Sequence, residues 1–258
     1  MLIAVISDVH SNFEALTEVL LDIEKNNVDE IINLGDIVGY GPNPVECLDI
    51  LQSHPKLVRN ILGNHDECVI DIKKSNNFNE KARQAIRWSQ SKITKENKNI
   101  DRDISFLTQS PAWAVRNGRM YCHGSPSDIS DYIFPNLINY QNGMNLLFNK
   151  FNHQCFIGHT HLPGVFIKNT KDQFEFLTPR DNDNSFWLNF PDEKCIINPG
   201  SVGQPRDQDP RASYVIYNTE TLNIQYRRIE YDIQKTVDKI SEIEDIHISL
   251  GLRLLKGT

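Results

Sequence analysis

The sequence predicts an α/β fold with an α+β second half: two stacked mixed β-sheets forming a sandwich flanked by helices. Three observations carry this. The N-terminal part alternates short branched-apolar runs with amphipathic helical patterns, which implies parallel strands joined by crossovers. After His161 the helical patterns give way to short strand-like runs separated by Asn, Asp, Pro and Gly. Five strand-like runs end in clusters of Asp, Asn or His beside Gly or Ser, at the edge where open α/β sheets place their ligands.

The elements follow in order. Leu2 to Ile6 reads as a buried strand, and Ser7-Asp8-Val9-His10 as the loop after it. Ser11-Asn12-Phe13-Glu14 has the capping-box pattern with Ser11 as N-cap, and Ala15, Leu16, Val19, Leu20 and Ile23 then recur at helical spacing. Glu30 to Leu34 is a second strand, followed by the glycine-rich loop Gly35 to Gly41. Asn43, Pro44 and Glu46 suit the cap, first and third positions of a helix carrying Val45, Leu48 and Leu51. Lys56 to Leu62 is a third strand, with Gly63-Asn64-His65-Asp66 as its loop.

Cys68 to Ser110 reads as helical and more polar, with Asn79 capping a helix that carries Ala82, Ala85, Ile86, Ser89 and Ile93 on one face. Lys92 to Arg102 is charged and Asn-rich, as in an exposed loop or a fraying helix end. Arg119 to Cys122 is a strand ending at His123-Gly124-Ser125-Pro126. Asp128 to Lys150 is irregular, then weakly helical around Met144, Leu147 and Phe148. Gln154 to Ile157 is a strand ending at Gly158-His159-Thr160-His161. Strands follow at Val165–Ile167, Gln173–Leu177, Ser185–Leu188, Lys194–Ile197, Ser213–Tyr217 and Leu222–Arg227, with a tight turn at Asn198-Pro199-Gly200-Ser201. Asp232 caps a helix with Ile233, Val237 and Ile240, and a short helix spans Leu250 to Leu255. With no repeat or linker in its 258 residues, the chain is expected to form one domain.

Composition narrows the function. A net charge of −7 argues against a stable grip on nucleic acid, which needs a basic surface. Small phosphorylated substrates remain compatible if metal ions supply local positive charge. No apolar run approaches membrane-spanning length. The five cysteines are scattered without a C-x-x-C pair, so they are expected to be reduced, mostly core residues of a cytoplasmic protein.

The polar residues at the strand ends are Asp8, His10, Asp36, Asn64, His65, His123, His159 and His161. Carboxylate, imidazole and amide groups without thiolates suit divalent metals such as Mn, Fe, Zn, Co or Ni, and there are ligands enough for two ions. Residues two apart in extended chain point the same way, so the Asp-x-His and His-x-His pairs can each face one site. Taken singly, each residue has a plainer reading: a lone Asp after a strand is usually a cap, and a lone His a packed histidine. Five clusters together are hard to attribute to caps. His54, His153 and His247 lie outside them and are expected at the surface.

Asp8-x-His10, Gly35-Asp36, Gly63-Asn64-His65-Asp66, His123 and Gly158-His159-x-His161 resemble, in order, the signature of the calcineurin-like metallophosphoesterase superfamily. The later Asn198-Pro199-Gly200-Ser201 with Pro205-Arg206 is similar to its small single-domain bacterial and archaeal members. The resemblance implies two divalent metal ions. Asp8, His10 and His161 would bind the first, Asn64, His123 and His159 the second, and Asp36 would bridge them. A hydroxide shared between the ions would attack phosphorus, with His65 facing the substrate as proton donor or phosphoryl contact.

Departures from the pattern bear on the substrate. Protein phosphatases of the superfamily carry Asp-Arg-Gly where this chain has Gly39-Tyr40-Gly41, Arg where it has Leu62, and Glu where it has Asp66. The Asp that would orient the catalytic histidine is missing at Gly39, so either Asp66 or an unidentified group takes that role. A phosphodiesterase, or a phosphatase for nucleotides or other small molecules, fits better than a protein phosphatase. The alternatives are a protein or dinucleoside-polyphosphate phosphatase, or a non-catalytic metal-binding scaffold on the same fold. Arg206 is a candidate substrate-phosphate contact, because guanidinium binds phosphate bidentately. Tyr40 can line the pocket or simply pack, and the segment around Asp128 to Tyr140 is a candidate lid.

Overall fold

The computed structural model describes residues 1–96, 98–179, 184–187 and 193–258. The chain opens as strand and helix in alternation: β1 (Leu2–Ile6), α1 (Phe13–Lys25), β2 (Glu30–Asn33), α2 (Pro44–Ser53), β3 (Leu57–Asn60) and α3 (Asn64–Ile70). Two more helices, α4 (Glu80–Ser91) and α5 (Ile100–Gln109), lead to β4 (Trp113–Arg116) and β5 (Arg119–Cys122). After α6 (Gln141–Phe148) come β6 (Gln154–Phe156), β7 (Gly164–Lys168), β8 (Phe174–Leu177), β9 (Ser185–Trp187), β10 (Cys195–Asn198), β11 (Ala212–Asn218) and β12 (Asn223–Ile229). The chain closes with α7 (Ile233–Ser241) and α8 (Ser249–Leu252), which runs into a 3-10 turn at Arg253–Lys256.

The strands form two six-stranded mixed sheets, β3-β2-β1-β11-β12-β9 and β4-β5-β6-β10-β7-β8. In the first, β1, β2 and β3 run parallel and β11 reverses direction against β1. In the second, β5, β6 and β10 run parallel and β4 and β7 are antiparallel to their neighbours. Period-two alternation explains the layering. Ile3 and Val5 of β1 join Ile32, Tyr121, Phe156, Ile197, Val215 and Tyr217 between the sheets. Ala4 and Ile6 face the other way, onto Leu16, Val19 and Ile23 of α1 and Leu48 and Leu51 of α2. Met120, Cys122, Cys155 and Ile196 make the equivalent outer layer of the second sheet, under Met144 and Phe148 of α6. This is the predicted sandwich. All five cysteines are free and buried. Among the described residues, no helix is long and apolar enough to cross a membrane.

Several local expectations are corrected. The N-cap of α1 is Asn12, whose side chain accepts from the Ala15 N–H at 3.1 Å. Ser11 is instead left-handed, with φ 54°. Glu14 does not close a capping box, because Lys239 of α7 holds its carboxylate at 2.7 Å. Asn43 precedes α2 but makes no cap bond; its amide donates to Glu46. Asn79 caps α4 as expected. Of the two expectations for Lys92 to Arg102, the helix end is the nearer: a π-helical turn over Lys92–Glu96 continues α4 and buries Ile93, and α5 begins at Ile100. The β4–β5 hairpin was not anticipated, although Asn117-Gly118 between the strands is left-handed at both positions, as a two-residue hairpin turn requires. The expected strand end at Leu188 lies outside the described residues.

Candidate metal centre

Loops at the C-terminal ends of β1, β2, β3, β5 and β6 converge on one edge of the sandwich. They are zipped by main-chain bonds before any side chain is considered. Asp8 N–H donates to Gly35, His10 N–H to Asp36 and Ser11 N–H to Ile37, at 2.8–3.0 Å. Gly158 N–H donates to His123 at 2.7 Å, which ties the two loops of the second sheet. Asp8 carries the join between sheets, since its carboxylate accepts the His159 N–H at 3.1 and 3.2 Å. Gly63 has to be glycine: a Cβ there would run into the Asp36 carboxylate and backbone.

The backbone at this edge is strained. Asp8, His10, Asp36, Tyr40, His159 and His161 all have φ between 46° and 66°. Left-handed conformation in residues other than glycine costs on the order of 1–3 kcal/mol each and clusters at functional sites. Asp8 and His10 therefore reach one site through consecutive turns rather than through extended chain. His159 and His161 do not share a site in the way a strand would dictate. His161 joins Asp8 and His10, whereas His159 joins Asp36 and His123.

All eight residues expected from the sequence come together, and the buried polar atoms converge. Asp8 Oδ1 lies 3.3 Å from His161 Nε2 and 3.9 Å from His10 Nε2. Asp36 Oδ2 lies 3.2 Å from His123 Nε2 and 3.7 Å from His10 Nε2, which puts it between the two groups. Asn64 Oδ1 is 3.0 Å from His123 Nε2. Asn64 and His65 sit in the first turn of α3, not in a loop. His65 is also close, with its ring nitrogen in a group with His10 and Asp36.

Proton bookkeeping shows what the cluster is suited to hold. The Nδ1 atoms of His10, His123 and His161 face the carbonyl oxygens of Val38 at 3.2 Å, Leu34 at 3.0 Å and Gln204 at 2.5 Å. A carbonyl only accepts, so each Nδ1 carries a proton and, in the neutral ring, each Nε2 turns a lone pair inward. His10 Nε2 and His161 Nε2 then face each other at 3.1 Å with no proton between them. Burial keeps both rings neutral, with His65 adding to the effect on His10 and Arg206 on His161. His159 Nε2 is buried with no partner. Two lone pairs at that distance repel, and a cation between them removes the repulsion. Burial works against charge on Asp8 and Asp36, but the surrounding imidazoles, with His123 near both, hold both carboxyls well below their usual range. Burial also opposes charge on His123, yet Asp36 and Asp8 raise it to about 9, so a proton balances the carboxylates there. The donor set fits divalent cations of intermediate or hard character.

Asp66 does not orient His65. Its Oδ1 accepts from Ile37 and Val38 N–H at 2.9 and 3.2 Å, and its Oδ2 from Gly63 N–H at 3.3 Å, so it binds the second and third loops together. Burial and the Asp36 charge push its carboxyl up to about 7, opposed by those N–H groups. His65 Nδ1 is buried without a partner and faces Gly39, where any Cβ would collide with it. Burial drops His65 to about 4, with Asp36 opposing and Arg206 assisting. Tyr40 packs on it with ring centroids 4.5 Å apart.

Three contributors lacked a clear sequence signal. Arg253, in the last turn of the chain, sits with Cζ 4.8 Å from the Tyr40 ring. Tyr132 lies 3.8 Å from the His159 ring, in the segment singled out as a candidate lid. Asn198, noted only for its turn, donates to Gly158 O and Thr160 Oγ1 at 2.9 Å and so braces the His159 loop. Arg206 is half-buried, with Nη2 donating to Gln204 Oε1 at 3.1 Å. His54 and His153 are partly buried and His247 is exposed, all outside the cluster.

Fold and donor set together define a two-sheet α/β protein with a candidate metal centre at its strand ends. The chain belongs to the calcineurin-like phosphoesterase superfamily, whose domain model matches residues 1–222. It is 37% identical over 262 residues to the uncharacterized protein MJ0912 of Methanocaldococcus jannaschii, covering 99% of this chain and 98% of that one. A metallophosphoesterase from Sphaerobacter thermophilus superposes with a TM-score of 0.80 at 34% identity, over 100% of this chain and 99% of the other. The hypothetical protein PH1004 from Pyrococcus horikoshii OT3 has the same fold, with a TM-score of 0.77 at 18% identity over 100% and 98%.

Proposed function

We propose that the protein hydrolyses phosphate esters of small molecules with two divalent cations. Asp8, His10 and His161 would hold one, Asn64, His123 and His159 the other, and Asp36 both. The observation that carries this is the convergence of the inward lone pairs of His10 and His161 and the unpartnered Nε2 of His159 on two carboxylates, with Asp36 between the groups. When bound, such ions supply the Lewis acidity that neutralises phosphoryl oxygens and makes water nucleophilic at neutral pH. Water adds to phosphorus, the ester P–O bond breaks, and phosphate and an alcohol leave.

The chain's own residues do the rest. Asn64 and His65 line a cleft that opens onto the centre. With Nδ1 against Gly39, Nε2 is the His65 nitrogen left to meet a phosphoryl or leaving-group oxygen. Among the described residues no carboxylate lines the cleft, which suits an anionic substrate. The missing acid at Gly39 favours a small substrate over a phosphoprotein. The net charge of −7 disfavours nucleic acid.

The test strips metal, restores Mn and then Fe, Zn, Co and Ni in turn, and assays an aryl phosphodiester beside its monoester. Metal-dependent turnover is expected with at least one ion. His65→Ala is expected to keep its metal content while kcat falls about 10²–10⁴-fold, the usual contribution of a positioned acid. A protein that binds none of these ions would overturn the reading, and undiminished kcat would remove His65 from the mechanism.

A further inference from the structure

His65 is buried, yet among the described residues no group accepts a hydrogen bond from its Nδ1. Asp66 is taken by the loop N–H groups of Ile37, Val38 and Gly63, and Gly39 has no side chain to offer. The outer torsion of a histidine has broad, shallow minima, so a ring without a partner has to be fixed by something else. What surrounds this ring is aromatic. Tyr40 lies with its centroid at 4.5 Å and its plane at 53°, His10 at 4.8 Å and 73°, and Phe78 at 5.0 Å and 62°. All three are tilted or edge-on, the geometry that aromatic quadrupoles favour over a face-to-face sandwich. Tyr40 and His10 also meet each other at 4.6 Å, so these two and His65 form a closed triangle of rings.

Each wall of this cage is anchored by a different element. His10 is held through Nδ1 on the Val38 carbonyl at 3.2 Å. Phe78 is placed by its own N–H on Ser75 O at 3.0 Å and by Asn79, which caps α4 beside it. Tyr40 sits on left-handed backbone, and the next residue, Gly41, donates its N–H to His10 O at 3.1 Å. Its ring packs against the buried cluster of Trp88, Ile240, Leu250 and Leu254. Arg253 lies on the same ring with Cζ 4.8 Å from the centroid, while its Nε and Nη2 are buried without a partner. The turn carrying Arg253 is fixed in turn, since Gln208 N–H donates to Gly257 O at 2.9 Å. The guanidinium is thus delivered to the Tyr40 face by packing and main-chain bonds, and the ring is its nearest electrostatic support.

We infer that Tyr40 is the positioning residue of His65: with Phe78 and His10 it does by ring contact what a carboxylate would do by hydrogen bond, and Arg253 holds Tyr40 in place. This rests on the phosphoesterase reading, which gives His65 its task. The two devices differ in one respect. A carboxylate fixes both the plane of an imidazole and the nitrogen that carries its proton, whereas a cage of rings fixes the plane alone. His65 Nε2 is therefore aimed without being committed to donate or to accept.

Kinetics and spectroscopy test this together. At saturating aryl phosphate, Tyr40→Ala is expected to lower kcat about 10–100-fold, as a misplaced catalytic group does. Tyr40→Phe, which keeps the ring, is expected to restore most of that loss, and Tyr40→Leu replaces Tyr40→Ala if the smaller side chain does not fold. In a His65→Ala background the same change is expected to cost less than about twofold, because no imidazole is left to position. Arg253→Met is expected to lower kcat about two- to fivefold, as the loss of one cation–π contact allows. Metal content is checked in each variant. In Zn-loaded protein with labelled histidines, the His65 ring is assigned by its disappearance in His65→Ala. It is expected to give one sharp signal that broadens or splits with Tyr40→Ala. An equal kinetic loss in both backgrounds, or a His65 signal that Tyr40→Ala leaves sharp and unmoved, would overturn the inference. Wild-type protein without turnover on any metal, but with a His65 signal that still depends on Tyr40, would put the failure in the phosphoesterase reading and not in the cage.

Discussion

Two concavities differ in a way that volume does not predict. The larger, about 940 Å³, lies between the start of α2, the end of α4 and the chain after α7. The smaller, at His65, is about 370 Å³. The large one carries Glu46, Lys98, Lys239, Glu242, Glu244 and Asp245, charges of both signs. Its Lys239 is already engaged by Glu14 at 2.7 Å and Asn43 at 2.9 Å. None of its residues has left-handed backbone. The small one ends in buried, mutually repelling and partly unpartnered groups on strained backbone. Folding gains nothing locally from that arrangement, so its cost has to be recovered by a ligand. A site is marked by where the protein gives up stability, not by where it leaves room.

Three substitutions test that contrast. The largest effect is expected for Asp36→Asn, which removes the one carboxylate placed between both groups. Bound metal, read by elemental analysis after gel filtration, is expected to fall at least tenfold; full occupancy would argue against a shared role for Asp36. Next is Asp66→Ala. It strips partners from the buried N–H groups of Ile37, Val38 and Gly63 and is expected to cost ~2–4 kcal/mol in a denaturant melt. A loss under about 1 kcal/mol would mean that the loops hold together without it. The smallest is Glu242→Ala, in the larger concavity. It is expected to leave kcat/KM within twofold and stability within about 0.5 kcal/mol, as for an ordinary surface change. A large loss of activity there would erase the distinction between the two cavities.

Much of this centre was legible in the sequence, for a physical reason. Parallel strands deliver their C-terminal loops to one edge, so five apolar runs ending in Asp, Asn or His already imply a shared site. That logic reached Asp8, His10, Asp36, Asn64, His65, His123, His159 and His161, and the cluster contains all of them. It failed where a residue's role depends on a distant partner. Ser11 looked like the cap, but zipping of its N–H onto Ile37 forces left-handed backbone and passes the cap to Asn12. Asp66 was one of two alternatives for orienting His65, but three main-chain donors from two loops claim it. Arg253 is brought over Tyr40 only by the packing of Leu250 and Leu254 against Ala85, Trp88 and Ile240, which no local pattern announces. Most of α5 fell within the stretch read as helical, but its start at Ile100 was hidden by the charged, Asn-rich sequence up to Arg102. The Asn117-Gly118 hairpin, by contrast, carries a local signal, since both residues adopt the left-handed backbone such a turn requires.

The contact between His10 and His161 spans 151 positions and joins loops that belong to the two different sheets. Contacts so remote in sequence form late, since the entropy of closing the chain is lost before they return anything. On the proposed ligand assignment, the loops of the first sheet present Asp8, His10, Asp36 and Asn64, and the set is complete only when the second sheet adds His123, His159 and His161. Metal capture then reports that both sheets have closed, and the free ion concentration sets how far that closed state is favoured by mass action. Scarcity of metal would thus shorten the life of the protein as well as silence it.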